Sequence, residues 1–397
     1  MSPPSPPSPP RAPAEPLLSA ADARRRLADA WPAAASERVA LGQAAGRVLA
    51  EPLVSPEDLP SCARSAMDGY AVPAALTRGA RAEQPVALTL GQQAWAIATG
   101  GPVPPGADAV VMVEQTRSGV SEVEIHVEVS PGRNVLAQGE DVRAGAALWP
   151  AGRRLSIRDL ALLGAVGLTS VAVVARRRVA VLSSGAELVR PGEAVLPGQV
   201  RDVNQPSLAA AARAAGALVT PAGIVTDAVE AVAAALQQLS GAHDVVLISG
   251  GTSVGLADHT AQALRQLGAR LLFHGLAIRP GRPTLAARLG DSLVVGLPGV
   301  PAAALIVYEL FVRDLLEGTP GEDRRVSARL TEAVSSSLGR EDYVRVGLHT
   351  RPDGLWAAPV PGAPASLFAL ATADGVAVVP HESGGLAAGD RITVLRF

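Results

Sequence analysis

The stretch "DVVLISGGTSVGLAD", Asp244 to Asp258, passes from an apolar run into glycines and hydroxyl residues, with a carboxylate at each end. Gly250 and Gly251 let an anion approach the backbone, Thr252 and Ser253 add hydroxyl donors, and Ser249 and Gly255 flank them. The spacing is neither a Walker A motif, which needs a lysine, nor the dinucleotide fingerprint, so an ordinary tight turn stays open as a second reading. Asp258 likewise reads either as a catalytic carboxylate or as the N-cap of the helix "HTAQALRQL". In "IRPGRP", Arg279 and Arg282 stand on a turn stiffened by Pro280 and Pro283, an arrangement suited to gripping an oxyanion. "LSSGAEL" brings Gly185 and Glu187 just past a strand, with Glu187 read either as a helix-start carboxylate or as a catalytic one. "GLPGVP" adds Pro298, Gly299 and Pro301. Asp68 in "RSAMDGYA", Thr99 in "IATGGPVPPGAD", and Glu140 and Asp141 in "GRNVLAQGED" join turn formers to a carboxylate or hydroxyl, with no spacing that makes them converge. The six histidines show no metal-ligand spacing.

Elements must carry these loops. "VAVLSSG", "ALVTPAGIV", "DVVLISGG", "RLLFHGLAI" and "SLVVGLPGV" alternate with the helices "PSLAAAARAAG", "DAVEAVAAALQQL" and "DHTAQALRQLG". Such alternation predicts βαβ units around a doubly wound, mostly parallel sheet over residues 177–322. In sheets of that kind ligands sit beyond the carboxyl ends of the strands, which is where these loops fall. Residues 51–145 read as a β-rich module, from runs such as "QPVALTL" and "SEVEIHVEVS" separated by glycine and proline turns. The flanking segments 17–50 and 146–176 read as a helical linker domain, beginning with the helix "AADARRRLADAWP". Residues 323–397 read as a small C-terminal β-barrel. The first 16 residues, rich in Pro and Ser, read as a disordered tail.

Composition narrows the partners. A chain of 397 residues predicts roughly two to four domains. A net charge of -2 argues against a surface that tracks nucleic acid. Cys62 is the single cysteine, which excludes an internal disulfide and a cysteine-built zinc site and fits a reducing cytoplasm. The most membrane-like run, Leu160–Ala175, falls short of the roughly 20 apolar residues of a span and reads as a buried helix leading into a strand. No membrane partner is expected. The chain has no lysine at all, so an arginine here can stand where a relative has lysine.

In this order, "RSAMDGYA", "TGGPVPPGADAVVMVE", "GRNVLAQGED", "VAVLSSGAEL", "GQVRDVN", "DVVLISGGTSVGLAD", "IRPGRP" and "GLPGVP" strongly resemble the MoeA family of molybdopterin molybdenumtransferases, which includes the E domain of gephyrin. The resemblance implies a MogA-like αβ domain and a reaction in which molybdate enters adenylyl-molybdopterin, AMP leaves, and the molybdenum cofactor forms. It implies a homodimer whose cleft draws on the β-rich module of the other subunit. It also implies a molybdopterin adenylyltransferase and apo-molybdoenzymes as partners. Within that family Asp68, Thr99, Asp141, Glu187, Asp244 and Asp258 would be catalytic, with Glu187 and Asp258 holding magnesium. Gly185, the glycine loop, Pro298, Gly299, Pro301, Arg279, Arg282, Arg345 and Ser366 would bind substrate. Three features depart from the pattern: Arg279 and Arg282 replace the usual lysines, Val300 replaces an asparagine, and "PGAPASLFALATADG" follows its segment only loosely. A non-catalytic paralogue that binds or scaffolds the cofactor, and a CinA-type protein sharing the αβ domain, are the alternative readings.

Overall fold

A computed structural model describes residues 17–33, 35–251, 258–318 and 324–397. The proline-rich tail and Thr252, Ser253 and Gly255 lie outside them. The chain divides into two compact units, one spanning Ala35–Ala175 and the other the chain on either side of it.

The larger unit is built on a six-stranded sheet in the order Leu218–Val225, Arg178–Ser184, Val245–Ser249, Ser292–Leu297, Leu285–Leu289, Arg270–His274. The first four pair in parallel. Leu285–Leu289 runs against both its neighbours, so it alone opposes the rest. The central strands are buried at nearly every position and mostly apolar because both faces are covered. Val179, Val181, Val245, Leu247, Val295 and Leu297 face one core, shared with helices Asn204–Ala214 and Pro301–Phe311. Ala180, Leu182, Val246 and Ile248 face the other, beneath helices Val229–Ser240 and His259–Gln266. This is the doubly wound, mostly parallel arrangement that the alternation predicts.

Helix Ala20–Asp29, assigned from sequence to the linker domain, instead packs on the αβ core through Ala20, Ala23 and Leu27. Its periodicity gives the apolar stripe but not the surface that stripe will meet. Strands Arg325–Leu330, Glu341–Arg351, Gly354–Pro359, Gly375–Val379 and Arg391–Arg396 close on themselves through the pairing of Glu341–Arg351 with Gly375–Val379, forming the C-terminal barrel. The short strand Ile278–Arg279 adds to its edge.

In the smaller unit, strand Ser36–Ala40 pairs with Ser170–Val174, and helix Ile157–Ala165 starts from a Ser156/Asp159 capping box. Its β-rich part carries the three-stranded sheets built on Gly69–Val72 and Glu122–Ile125. Among the described residues no helix is long and apolar enough to cross a membrane.

Candidate functional site

The special loops leave one rim of the αβ sheet. Gly185 follows Ser184, Gly250 follows Ser249 and Pro298 follows Leu297, all at carboxyl ends, and the segment bearing Arg279 and Arg282 follows His274 at the same edge. The strand ends are locked together by buried hydroxyls and carboxylates. Ser183 Oγ donates to Asp202 at 2.9 Å, and that carboxylate also accepts from the backbone N–H groups of Asn204 and Gln205 at 3.0 and 3.2 Å. Ser184 Oγ donates to Asp227 at 2.8 Å, and Asn204 Nδ2 to the Gly299 carbonyl at 2.8 Å. These partners were not singled out from sequence. Asp202 and Asn204 lay in plain view in "GQVRDVN", where a polar pair just before a helix marks a helix start.

Glu187 is exposed and lies in a turn followed by the short strand Leu188–Val189, so the helix expected there is absent. Its carboxylate folds back over Gly185, where a Cβ would come within 2.8 Å of it. Asp258 is 3 % exposed. One of its oxygens caps helix His259–Gln266 by accepting from Ala261 N at 2.9 Å. The other lies 2.5 Å from His274 Nε2. Asp258 is thus an N-cap through one oxygen, while the other, buried beside His274, makes no hydrogen bond with a described residue.

Asp244 lies elsewhere. It precedes strand Val245–Ser249 at the amino end, the edge of the sheet opposite the loops, and accepts from Arg178 N and Nη2 at 2.8 and 2.9 Å. Five extended residues separate the two edges, about 16 Å. Burial pushes the Asp244 carboxyl up, but the Arg178 bonds outweigh it and hold the group below its usual range. A carboxylate depressed in the folded state adds stability above its unfolded pKa of about 4 and loses it as pH falls through the folded value. Asp244→Asn is therefore expected to lower resistance to urea at pH 7, with the gap from wild type closing below about pH 4. Equal gaps at both pH values would mean that charge plays no part.

The arginine turn lines a cleft of about 430 Å³, together with Leu17, Val300, Arg340 and Pro364. Arg279 and Arg282 are both exposed, and neither side chain makes a hydrogen bond or ion pair with another described residue. Gly281, at φ +114°, lets the turn lie against helix Pro301–Phe311: a Cβ there would come within 2.5 Å of Val307 Cγ2. Val300 stands at the N-cap of this helix in extended geometry and offers no side-chain acceptor. Val300→Asn should supply one, adding about 1 kcal/mol and raising Tm by roughly 2–4 °C. An unchanged Tm in a thermal scan would show that the first turn is already satisfied.

Arg345 is engaged elsewhere, donating to the Ser366 carbonyl at 2.9 Å and to Ala363 and Gly362 at 3.0 and 3.3 Å. Burial pulls its pKa down. Ser366 Oγ caps the short helix Leu367–Ala371. The two residues together shape the loop that presents Pro364 to the cleft.

In the smaller unit the three stretches that local spacing could not bring together do converge. Ser65 N donates to Gly101 O at 2.9 Å, Gly100 N to Ser65 O at 2.7 Å, and Ala66 N to Asn134 O at 2.9 Å. Asp141 N donates to Leu59 O at 3.0 Å on the same segment. Asp68 Oδ1 accepts from Thr99 N at 2.6 Å and Thr99 Oγ1 at 2.9 Å, and these bonds, the backbone one first, hold its pKa below the usual value. Asp68 is thereby kept ionised on an exposed turn. Among the described residues no group of three His, Cys, Asp or Glu side chains is disposed to hold a metal.

A doubly covered, mostly parallel sheet with glycine loops on its carboxyl rim, beside a cleft whose arginines have no side-chain partner among the described residues, defines the class as an α/β protein with a cleft suited to an anion. Comparison narrows the class. Residues 18–167 match the family model for the MoeA N-terminal region (domains I and II), residues 180–318 that for a probable molybdopterin binding domain, and residues 327–397 that for the MoeA C-terminal region (domain IV). Molybdopterin molybdenumtransferase 2 of Mycobacterium tuberculosis is 36% identical over 380 residues, covering 90% of this chain and 94% of its own. The molybdopterin molybdenumtransferase of Bacillus subtilis is 33% identical over 385 residues, covering 91% and 89%. The crystal structure of the MoeA molybdopterin biosynthesis protein from Pyrococcus horikoshii superposes with a TM-score of 0.83 at 31% identity, over 96% of this chain and 99% of that one. The chain belongs to the MoeA family.

Proposed function

We propose that this protein is a molybdopterin molybdenumtransferase. It inserts molybdate into adenylyl-molybdopterin, releases AMP and yields the molybdenum cofactor. The observation that carries the reading is the pair Arg279 and Arg282, two guanidiniums without partners among the described residues, on a cleft beside the rim of the αβ sheet. An unpaired cation costs little at an exposed site and binds an arriving oxyanion by charge-assisted hydrogen bonds. Gly250 and Gly251, both at positive φ, make the turn at the strand end where the phosphate of the pterin would lie. Matches at both ends of the chain, outside the αβ domain, set aside a CinA-type protein.

Magnesium neutralises phosphate charge when bound, and it is held through one or two carboxylates together with substrate phosphates. Asp258 has one oxygen engaged as a helix cap and a second, buried beside His274, without a hydrogen bond among the described residues. Glu187, exposed at the rim, fits that task. Asp68, fixed and kept ionised by Thr99, is a carboxylate of the smaller unit. The protein works in the cytoplasm and receives its substrate from a molybdopterin adenylyltransferase.

The test is AMP release from adenylyl-molybdopterin on adding molybdate and magnesium, followed by activation of an apo-molybdoenzyme. Tight binding without AMP release would instead favour a cofactor-binding paralogue. The family resemblance also carries a homodimer in which Asp68 of one subunit serves the cleft of the other. Mixed Asp68→Asn and Glu187→Gln subunits are then expected to recover activity that neither homodimer has, up to about a quarter of wild type where one intact site forms per mixed dimer. Heterodimers that form and stay inactive would rule out a shared site.

A further inference from the structure

One outward face of the C-terminal barrel carries charge that the fold leaves uncompensated. Across four of its strands His349 lies opposite Trp356, Trp356 beside Arg329, and Arg329 opposite Arg391. Residues paired in this way point to the same face of a sheet. Leu330, Ala357 and Ile392 each follow a member of the row and lie in the barrel core, so the row itself faces outward. The same alternation adds Arg351, Ser327, Thr393 and Arg325 to that face. Over 325–329, 345–351, 354–358 and 391–395 the outward positions hold no carboxylate, although the chain as a whole has a net charge of -2.

The row contains a like-charge pair. Arg329 and Arg391 stand directly opposite in an antiparallel ladder, where side chains leave the backbone roughly 5 Å apart and like charges destabilise the pairing. Both are exposed, as is Arg325, and none of the three side chains makes a hydrogen bond or ion pair with another described residue. Elsewhere arginine charge is met locally: Arg313 and Arg324 pair with Glu309, Glu317 and Asp314. Carboxylates arriving from outside would supply the missing counter-charge. The row crosses three strand spacings, about 14 Å, the reach of about four extended residues. Trp356 argues against a nucleic acid. The Arg351 guanidinium lies 4.4 Å over its ring, and its Nε1 donates to Asp353 at 2.9 Å. The ring is thus covered on one face and held by its edge, whereas single-stranded nucleic acid uses an open aromatic platform.

We propose that the row of His349, Trp356, Arg329 and Arg391 docks a short acidic segment of a partner protein, with its carboxylates on Arg329 and Arg391. None of these residues lines the cleft of the arginine turn, so the surface stands apart from the proposed reaction. Fluorescence anisotropy of a labelled peptide of alternating Asp and Ser, titrated with the full chain at fixed low ionic strength, tests it. Arg329→Ser combined with Arg391→Ser is expected to weaken binding about five- to thirtyfold. Arg117→Ser combined with Arg158→Ser, which removes two exposed charges from the smaller unit, is expected to stay within about twofold of wild type. Equal weakening in both would mean a diffuse attraction and overturn the proposal, as would failure of the unsubstituted protein to bind the peptide. Single-stranded or duplex DNA that binds more tightly than the peptide, and is lost with the same two arginines, would overturn it in favour of a nucleic acid. Stability gives a second readout. Arg391→Thr is expected to weaken the peptide about three- to fivefold, yet to raise the urea midpoint of the free protein at low salt, with the gain fading as salt screens the repulsion between the two arginines. A lowered midpoint would show that the fold itself uses the pair, and would defeat the proposal.

Discussion

Gly250→Ala is expected to abolish AMP release and to lower the melting temperature of the larger unit by roughly 10 °C. Gly250 leaves the strand at φ +92°, and a Cβ built there would lie 2.1 Å from the carbonyl oxygen of Ser184. That oxygen belongs to the neighbouring central strand and cannot swing aside as a side chain would. Two penalties add, the left-handed backbone of an L-residue and the separation of two strand ends, together about 3–5 kcal/mol. The chemical consequence follows from the same contact. Gly299 packs against Gly250, with its own would-be Cβ 3.5 Å from the Gly250 Cα, and Asn204 holds the Gly299 carbonyl, so moving Gly250 displaces the rim on both sides. Gly251→Ala is the control. At φ +61° its nearest neighbour is the hydroxyl of Thr260 at 3.0 Å, a side chain able to yield, and a cost of about 1–2 kcal/mol is expected. Circular dichroism melts and AMP release measured on both variants decide. A Gly250→Ala protein with wild-type Tm and turnover would show that the strand ends are looser than this packing requires.

The αβ sheet was readable because its strands are buried on both faces and its helices carry a stripe on one, so each type keeps a distinct pattern. Placement against other elements was not readable. Helix Ala20–Asp29 shows its apolar stripe in sequence, but nothing local says that the stripe meets Leu276 and Tyr308 of the same core, hundreds of residues further on. Glu187 was read as opening a helix because a polar residue after a strand commonly does so. Here the chain forms a two-residue ladder between Leu188–Val189 and Val200–Arg201 first, and the helix starts only at Asn204. Asp244 and Asp258 look equivalent as the two ends of one motif. The strand between them puts the first at the far edge of the sheet and turns the second into a helix cap. The arginine turn was visible as chemistry, yet its strand contact with Glu341 and Asp342 was not, because that pairing spans some sixty residues.

Arg282→Ala is expected to raise the KM for molybdate about ten- to a hundredfold while changing the affinity for the adenylylated pterin little, because a charge-assisted contact worth roughly 1.5–3 kcal/mol is lost at the oxyanion alone. Arg282→Lys separates charge from shape. Arg282 is exposed and no described residue holds its fork in one plane, so the free protein does not orient its donors beforehand. A guanidinium left free in this way acts mainly as a positive charge, and a compact ammonium on a flexible stem supplies the same charge. Arg282→Lys should therefore keep most of the activity, as a chain whose arginines merely replace lysine would. Steady-state AMP release at varied molybdate measures both variants. Equal losses for Ala and Lys would mean that the planar fork is used in the bound state, and that the oxyanion itself orients it. No change in the molybdate KM with either would remove Arg282 from the site.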